Sequence, residues 1–248
     1  MEREKIPQAN ILDCKLNLVD MEETLRLIEL LVYKGDNHHV VTLNAEIVYQ
    51  ATINKELQEI INKASLVTAD GIGIVWAART LGFLQKERVS GIDLMLKTCS
   101  RAAMRGWKVY LLGAAPGVAE KAAEELKQKY PGLNICGYQH GYFDRQAEKQ
   151  IIAGIIAKKP QVLFAAMGAP KQEFWLSRNL ERLQVPVSIG VGGSFDVIAG
   201  IKRRAPQMFI KLNLEWLYRL LSEPARFRRQ LVLPAFVIAV LRQKYDFK

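Results

Sequence analysis

The sequence alternates short apolar runs with stretches of helical periodicity, and this alternation limits the possible folds more than any other feature. Residues 66–69 form an apolar run of strand length, whereas residues 21–34 place apolar side chains at helical spacing. Asp20 and Glu23 form a plausible capping pair for that helix, and Gly35 predicts its end. Strands that alternate with helices form mostly parallel sheets covered on both faces, because a parallel crossover needs a long connection. The sequence therefore predicts an α/β fold of this kind.

Charge is distributed unevenly along the 248 residues. Residues 201–248 hold 11 Lys and Arg against 3 Asp and Glu, so this fifth carries +8 of the formal net charge of +10. Two apolar helical patterns lie there, over 208–221 and 231–241, and the second is shorter than the roughly 20 residues of a membrane span. Cationic amphipathic helices bind anionic membrane surfaces. We predict an α/β domain over residues 1–200 and a basic amphipathic membrane-docking appendage over 201–248. Packing of these helices on the domain or in an oligomer interface is the alternative.

Polar and glycine residues follow several of the predicted strands. In a parallel, Rossmann-like sheet, ligands bind beyond the carboxyl ends of the strands, so these residues are expected to meet at one edge. They are Thr42, Asn44, Asp70, Gly113, Gly168, Gln172 and the segment 192–196. A helix cap or a turn explains each of them separately, and their convergence is what indicates a site.

The segment from Val187 to Asp196 indicates a ligand most directly. Its β-branched run predicts a buried strand, and the glycines that follow let backbone N–H groups approach a phosphate. An acid just past such a turn can accept hydrogen bonds from a ribose or a base, and residues 202–204 add three cations. The segment predicts a nucleotide-diphosphate site. Taken alone, an ordinary strand–helix connection explains it equally well, because a single glycine-rich turn is weak evidence.

The chain lacks the sequence motifs of several common kinds of enzyme. The chain has no GxxxxGK[ST] loop, no GxGxxG fingerprint and no GxSxG elbow, which disfavours an NTPase or an ordinary nicotinamide dehydrogenase. It has no DxD pair, and its three histidines lack metal-ligand spacing. Its three cysteines are far apart, which fits reduced thiols in the cytosol. We therefore expect a site that works without a metal and without a cofactor.

Taken in order along the chain, the motifs resemble those of the WecG/TagA/CpsF glycosyltransferases, glycosyltransferase family 26, and most of all its N-acetylmannosaminyltransferases. The motifs that carry the likeness are VTLN at 41–44, ADG at 69–71, RVSGID at 88–93, LLG at 111–113, GAPKQE at 168–173, GVGGSFD at 190–196 and RAP at 204–206. They cover nearly the whole chain. The resemblance implies a metal-independent, inverting transfer of N-acetylmannosamine from its UDP donor to the 4-hydroxyl of GlcNAc on undecaprenyl diphosphate. The product would be the lipid-linked disaccharide of wall teichoic acid, made at the cytoplasmic face of the cell membrane by a peripheral enzyme.

The resemblance and the strand-end argument together lead to a set of site residues. Asp70 matches the family's proposed catalytic acid, and we predict that it is the base for the acceptor hydroxyl. The residues predicted to position donor or acceptor are Thr42, Asn44 and Gln172, with Arg88 on a phosphate. Those predicted to hold the UDP donor are Gly113, Gly192, Gly193 and Ser194, with Asp196 near the uridine. Since no metal is expected, arginines of the appendage would balance the charge of the lipid diphosphate. They are Arg219, Arg226 and Arg229.

Other interpretations remain open at this point. The donor could be UDP-N-acetylmannosaminuronate or another UDP sugar, because no residue unambiguously contacts the sugar C6 group. A nucleotide-binding protein or oxidoreductase on a similar sheet would bind a dinucleotide instead. Nucleic acid is disfavoured as a partner, because apolar residues interrupt the cations of residues 201–248. A homo-oligomer that hides the apolar tail is also possible.

Overall fold

The structure is a computed structural model that describes residues 6–212, 214–222 and 231–246. A small antiparallel hairpin comes first, with β1 at Gln8–Ile11 and β2 at Cys14–Asn17. The strands of the main sheet are β3 (His38–Leu43), β4 (Leu66–Ala69), β5 (Lys108–Gly113), β6 (Asn134–Gln139), β7 (Val162–Ala166) and β8 (Val187–Gly190). They lie in the order β4-β3-β8-β7-β5-β6, and every neighbouring pair is parallel. The predicted α/β fold with a parallel sheet is confirmed.

Helices connect the strands and cover both faces of the sheet. The first six are α1 (Met21–Lys34), α2 (Ala45–Ile53), α3 (Lys55–Lys63), α4 (Ile72–Thr80), α5 (Gly91–Arg105) and α6 (Val118–Lys129). The others within the described residues are α7 (Arg145–Lys158), α8 (Lys171–Leu183), α9 (Ser194–Ile198), α10 (Gln207–Lys211), α11 (Glu215–Ser222) and α12 (Val232–Asp246). Asp20 and Glu23 form the capping box of α1, and Gly35 ends it in the left-handed conformation, both as predicted.

The core lies in two layers because successive residues of a strand face opposite sides. Val40 of β3 packs in the layer that contains α1, α5 and α6, whereas Val41 packs in the layer that contains α2, α3 and α4. On that second face, α7 and α8 cover the β5–β7 half of the sheet, where Leu163 is buried. With both faces covered, β3, β4, β7 and β8 are buried at every position. Polar groups at their carboxyl ends are therefore confined to one edge.

The C-terminal helices differ from the single helix predicted over 208–221. α10 ends at Lys211 with Leu212 as its C-cap, and α11 begins at Glu215, whose carboxylate is paired with Arg88. No helix in the described part of the chain is long and apolar enough to cross a membrane.

α12 is built into the domain and does not project from it. Phe236 and Val240 are 1% and 0% exposed, and they belong to the same core layer as α2, α4 and the hairpin. Gln243 accepts a hydrogen bond from the Leu12 N–H at 2.8 Å and donates one to the Asn10 carbonyl at 3.1 Å. The division into a catalytic domain and a membrane-docking appendage at residue 200 stays a prediction. α12 packs in the same core as residues before 200.

Candidate active site at the carboxyl edge of the sheet

Three adjacent segments bring predicted site residues together at the carboxyl edge of β3, β4 and β8. Asp70 directly follows β4, and its backbone N–H donates to the Leu43 carbonyl at the end of β3, at 2.8 Å. Gly91 begins α5 against both strands: a Cβ there would lie 3.4 Å from Thr42 Oγ1 and 3.7 Å from Asp70 Oδ2. The same position is 3.6 Å from the Cα of Val191, just past β8. Asp70 and Thr42 therefore lie beside the residues that follow β8.

The segment Gly190–Gly193, called the glycine turn below, is held by side chains from two other elements. Thr42 Oγ1 on β3 donates to the Gly190 carbonyl at 2.8 Å. Gln172 Oε1 on α8 accepts from the Gly192 N–H at 3.0 Å. Gly192 has a φ of +55°, a conformation that glycine adopts readily. Two of the residues predicted to position substrate thus fix the backbone of the turn.

Ser194 and Asp196 belong to α9, the short helix that follows the glycine turn. Ser194 Oγ donates to the Val191 carbonyl at 2.6 Å, so its hydroxyl caps the turn. The Asp196 carbonyl accepts from the N–H groups of Ile201 and Lys202, both at 2.9 Å, which folds the start of the basic segment back onto α9. Their predicted contacts with the donor remain predictions.

Two predicted site residues have clear local structural roles. Gly113 has a φ of +137°, and a Cβ there would lie 2.7 Å from the Ala166 Cα, so β5 and β7 can approach only because this residue is glycine. Asn44 is the N-cap of α2, and its side chain accepts from the Ile47 N–H at 3.0 Å. Neither role prevents contact with a substrate, and both residues lie at the predicted edge.

Arg88, predicted to bind a phosphate, forms an ion pair with a residue of the appendage. Its Nη1 lies 2.9 Å from Glu215 Oε2 on α11, and the two side chains are only 16% and 8% exposed. Sequence reasoning had not selected Glu215, although it is the one acidic residue between 201 and 222. A second pair joins the segment after α9 to α5, with Arg204 Nη2 2.6 Å from Asp93 Oδ1. The phosphate contact of Arg88 stays a prediction.

Asp93 is held ionised by its neighbours. Burial alone would raise the pKa of this carboxyl, but hydrogen bonds from Ser90 and Arg204 outweigh burial and lower the pKa below its ordinary value. The Ser90 hydroxyl also caps α5, which starts the helix beside Asp70.

The three arginines predicted to bind the lipid diphosphate fall outside what the structure describes. Arg219 lies on α11, but its side chain is not among the described atoms, and Arg226 and Arg229 lie in the undescribed range 223–230. Their predicted role stays a prediction.

Nearly the whole chain matches one family model. That model, of the glycosyl transferase WecG/TagA/CpsF family, covers residues 9–248. The chain belongs to this family. A relative from Bacillus spizizenii strain W23 is 36% identical over 233 residues, which are 93% of this chain and 90% of the relative. A relative from Staphylococcus aureus strain MW2 is 39% identical over 213 residues, 86% of this chain and 83% of the relative. Both are named N-acetylglucosaminyldiphosphoundecaprenol N-acetyl-beta-D-mannosaminyltransferase.

Glu173, the last residue of the GAPKQE motif, is a second residue of this WecG/TagA/CpsF chain for which the sequence predicted no role of its own. It is fully buried in the first turn of α8, and its Oε1 accepts from Gln172 Nε2 at 2.8 Å. Burial raises the pKa of Glu173 to about 7, although the hydrogen bond from Gln172 acts in the opposite direction. Apart from that motif, the sequence signal was an acid on the buried face of a helix pattern.

Gly190 is glycine for a reason that differs from the one predicted. A Cβ there would lie 2.6 Å from Gln172 Nε2 and 3.0 Å from Glu173 Oε1, so these two side chains exclude one. Gly193, in contrast, is exposed. The part of the glycine turn that is accessible to a ligand is therefore Gly192–Gly193.

The described part of the chain offers no cluster of metal ligands. No group of three His, Cys, Asp or Glu side chains among the described residues is arranged to hold a metal ion. His39 is buried, and burial lowers its pKa to about 4, so it is neutral at physiological pH. The His38 ring contacts Ser65 Oγ at 2.9 Å at the start of β3, on the edge of the sheet opposite the site.

Proposed function

We propose that this family member transfers N-acetylmannosamine from UDP-N-acetylmannosamine to the 4-hydroxyl of GlcNAc-diphospho-undecaprenol with inversion. One observation carries the proposal: Asp70 and Thr42 lie beside the glycine turn at the carboxyl edge of the sheet. The relatives that bear this activity in their names match 86–93% of the chain, which supports the choice of substrates.

The geometry supports an inverting displacement in which the protein moves one proton and stabilises one leaving group. Asp70 would take the proton of the acceptor hydroxyl as that oxygen attacks the anomeric carbon. The bond from that carbon to the UDP diphosphate breaks in the same step. The N–H of the exposed Gly193 would stabilise the charge that develops on the diphosphate, because the Gly192 N–H already donates to Gln172. The uridine would then lie toward Asp196.

The acceptor is a lipid, and the C-terminal helices supply a surface that suits a membrane. Their exposed apolar residues within the described ranges are Met208, Leu212, Trp216, Leu221, Leu231, Val237, Ile238 and Tyr245. Two anchors hold these helices on the domain, the Arg88–Glu215 pair and the buried Phe236. We propose that this face docks on the cytoplasmic leaflet as a peripheral surface and that Arg219, Arg226 and Arg229 meet the lipid diphosphate there.

A transfer assay with a short-chain GlcNAc-diphospholipid tests the proposal. Purified enzyme is given UDP-N-acetylmannosamine, its C6 uronate and UDP-GlcNAc in parallel, and the products are identified by mass and by linkage analysis. We expect turnover with the first donor and a β-1,4 linkage. Faster turnover with the uronate would assign a different donor, and no turnover with any UDP sugar would remove the transferase proposal.

A further inference from the structure

We propose that Glu173 is a positioning residue, which orients the side-chain amide of Gln172 and through it the backbone of the glycine turn. The proposal rests on the proposed function for the identity of the diphosphate that the turn receives. The hydrogen-bonded chain from Glu173 to Gly192 is a property of the fold and needs no ligand to be tested.

A fully buried glutamate at position 173 is energetically unfavourable unless its carboxyl stabilises a neighbouring group. The side chain is 0% exposed, and no described residue offers Oε2 a hydrogen-bond partner. Burying a carboxyl with half of its hydrogen-bonding capacity unused costs free energy that an apolar side chain of similar size would not cost. What the carboxyl contributes is the bond from Oε1 to Gln172 Nε2, at 2.8 Å.

The Glu173 carboxyl and the Gly192 N–H together decide which way the Gln172 amide points. An amide end has a carbonyl oxygen that accepts and an NH₂ group that donates. An ionised Glu173 can only accept, and the neutral acid accepts through its carbonyl oxygen, so the NH₂ group faces Oε1. The amide oxygen is then left facing the Gly192 N–H, from which it accepts at 3.0 Å. Turned the other way, the amide would place its NH₂ group against the Gly192 N–H, and two donors would meet.

The backbone of β8 is shaped around this pair of side chains. The last residue of the strand, Gly190, leaves no room for a Cβ, because Gln172 Nε2 would be 2.6 Å away. On the β3 side, Thr42 Oγ1 binds the Gly190 carbonyl at 2.8 Å. The glycine turn is thus held between α8 and β3. Fixing Gly192 also fixes Gly193, the exposed residue whose N–H the proposed mechanism directs at the diphosphate.

Three substitutions at Glu173 separate the effect of its hydrogen bond from the effects of its charge and its size. Glu173→Gln keeps an accepting oxygen in place, Glu173→Asp keeps the charge but shortens the reach, and Glu173→Leu removes both. UDP affinity is measured by calorimetry, and the KM values for donor and acceptor by the transfer assay. We expect Glu173→Gln to stay within about twofold of wild type. The other two should weaken UDP binding about tenfold, the loss expected for one hydrogen bond to the turn.

The kinetic signature distinguishes positioning from general damage. The donor KM should rise in Glu173→Asp and Glu173→Leu while the acceptor KM stays the same, and circular dichroism should match the wild-type spectrum. If Glu173→Leu does not fold, the comparison of Glu173→Asp with Glu173→Gln still tests the proposal. Equal UDP affinity in all folded variants, or a loss in Glu173→Gln as large as in Glu173→Asp, would overturn the proposal.

A double-mutant cycle tests whether Glu173 acts through Gln172. In a Gln172→Ala background, Glu173→Asp should change UDP affinity less than twofold, because the amide that it orients is gone. A full tenfold effect in that background would show that Glu173 acts by another route and would overturn the proposal.

A second readout is independent of the nucleotide. The Gly192 amide proton, observed by NMR in the unliganded full-length protein, should shift upfield and exchange faster with solvent in Glu173→Asp but not in Glu173→Gln. An unchanged Gly192 signal in Glu173→Asp would contradict the inference. If wild type failed to bind UDP, the proposed donor would be wrong, and the Gly192 signal would still test Glu173.

Discussion

Two carboxylic acids near the glycine turn, Asp70 and Glu173, differ in their access to solvent. Asp70 is half-buried at the edge of the sheet, where an acceptor hydroxyl can reach it. Glu173 is fully buried beneath the turn, where it contacts Gln172 and no substrate can approach it directly. This difference fits the roles that we propose, proton transfer for Asp70 and positioning of the turn for Glu173.

Replacing Asp70 by Asn should remove most of the turnover and leave UDP binding nearly unchanged. The amide is close in size to the carboxylate but cannot take the proton, and the loss of a general base costs on the order of 10²–10⁴ in rate. The measurement pairs the transfer assay with UDP calorimetry. Asp13→Asn, near the exposed hairpin turn, serves as control. Near-normal turnover by Asp70→Asn would remove Asp70 from the mechanism.

The raised pKa of Glu173 predicts a specific dependence of stability on pH. Burial raises the pKa from an ordinary 4.5 to about 7, so the folded state binds this proton more tightly than the unfolded state. The stabilisation is complete below about pH 4.5 and is lost as the pH rises to about 7. Relative to Glu173→Gln, wild type should therefore lose about 3 kcal/mol of unfolding free energy between these pH values.

Urea unfolding of wild type and Glu173→Gln from pH 4.5 to 8 measures this difference. The change in unfolding free energy should level off above about pH 7. Glu59→Gln, at an exposed pair with Lys63, is the control, and its difference from wild type should stay small throughout. A pH-independent difference for Glu173→Gln would mean that Glu173 is ionised as easily in the folded protein as in the unfolded chain.

At the scale of secondary-structure elements, ion pairs hold the appendage on the domain. The Arg88–Glu215 pair fastens α11 to the segment before α5, and the Arg204–Asp93 pair fastens the segment after α9 to α5 itself. Both partners of the first pair are largely buried, so either charge left alone would be unfavourable. The Arg88–Glu215 pair thus ties α11 to a residue 127 positions earlier in the sequence.

Glu215→Gln should loosen α11 without unfolding the sheet. The amide leaves the buried Arg88 without its counter-charge, which costs on the order of 1–3 kcal/mol of local stability. Hydrogen exchange of α11 should speed up about tenfold or more, and the fluorescence of Trp216 on the same helix should change. Glu59→Gln should alter neither signal, since both side chains of that pair are exposed. Unchanged exchange in Glu215→Gln would show that apolar contacts alone hold α11.

At the scale of the whole molecule, the C-terminal helices are both packed and exposed. α12 buries Phe236 and Val240 in the core, while Leu212, just after α10, and Trp216, on α11, are 59% and 43% exposed. Removing residues 201–248 would therefore also open the core around α2 and α4, and a truncated chain cannot isolate the role of the exposed face. Single substitutions on that face can.

Leu212→Glu should weaken binding to anionic vesicles and slow transfer to the lipid acceptor while the fold persists. The substitution removes an apolar contact and adds a negative charge facing anionic lipid. Co-sedimentation with vesicles of phosphatidylglycerol and phosphatidylcholine, at low and high salt, gives the affinity. Ile53→Glu is the matched control, because Ile53 is 80% exposed outside the appendage. If both variants sediment like wild type, this face is not the docking surface.

Activity should persist in excess EDTA. The sequence has no DxD pair, and the described residues contain no three-ligand cluster that could hold a metal ion. The transfer assay with and without EDTA, and with added Mg²⁺ or Mn²⁺, measures this. Loss of activity that either metal restores would reveal a metal site in the enzyme or on its substrate.

The sequence by itself determined the local elements and the edge at which the site lies. Helical spacing, a capping box and Gly35 set α1 at its observed limits, and the alternation of strands with helices required a parallel sheet. Because parallel strands share their carboxyl ends, Asp70 and Thr42 were predicted to meet there. These features can be predicted from the sequence because each depends on residues a few positions apart.

Only the tertiary structure decided which strands are neighbours and what each polar residue contacts. β8 lies between β3 and β7, which brings Gln172 and Thr42 to opposite sides of the glycine turn. The burial of Glu173 and its raised pKa depend on that arrangement, and the Arg88–Glu215 pair joins two segments far apart in sequence. A side chain's solvent access and charge partners come from distant segments of the chain, so no local pattern in the sequence records them.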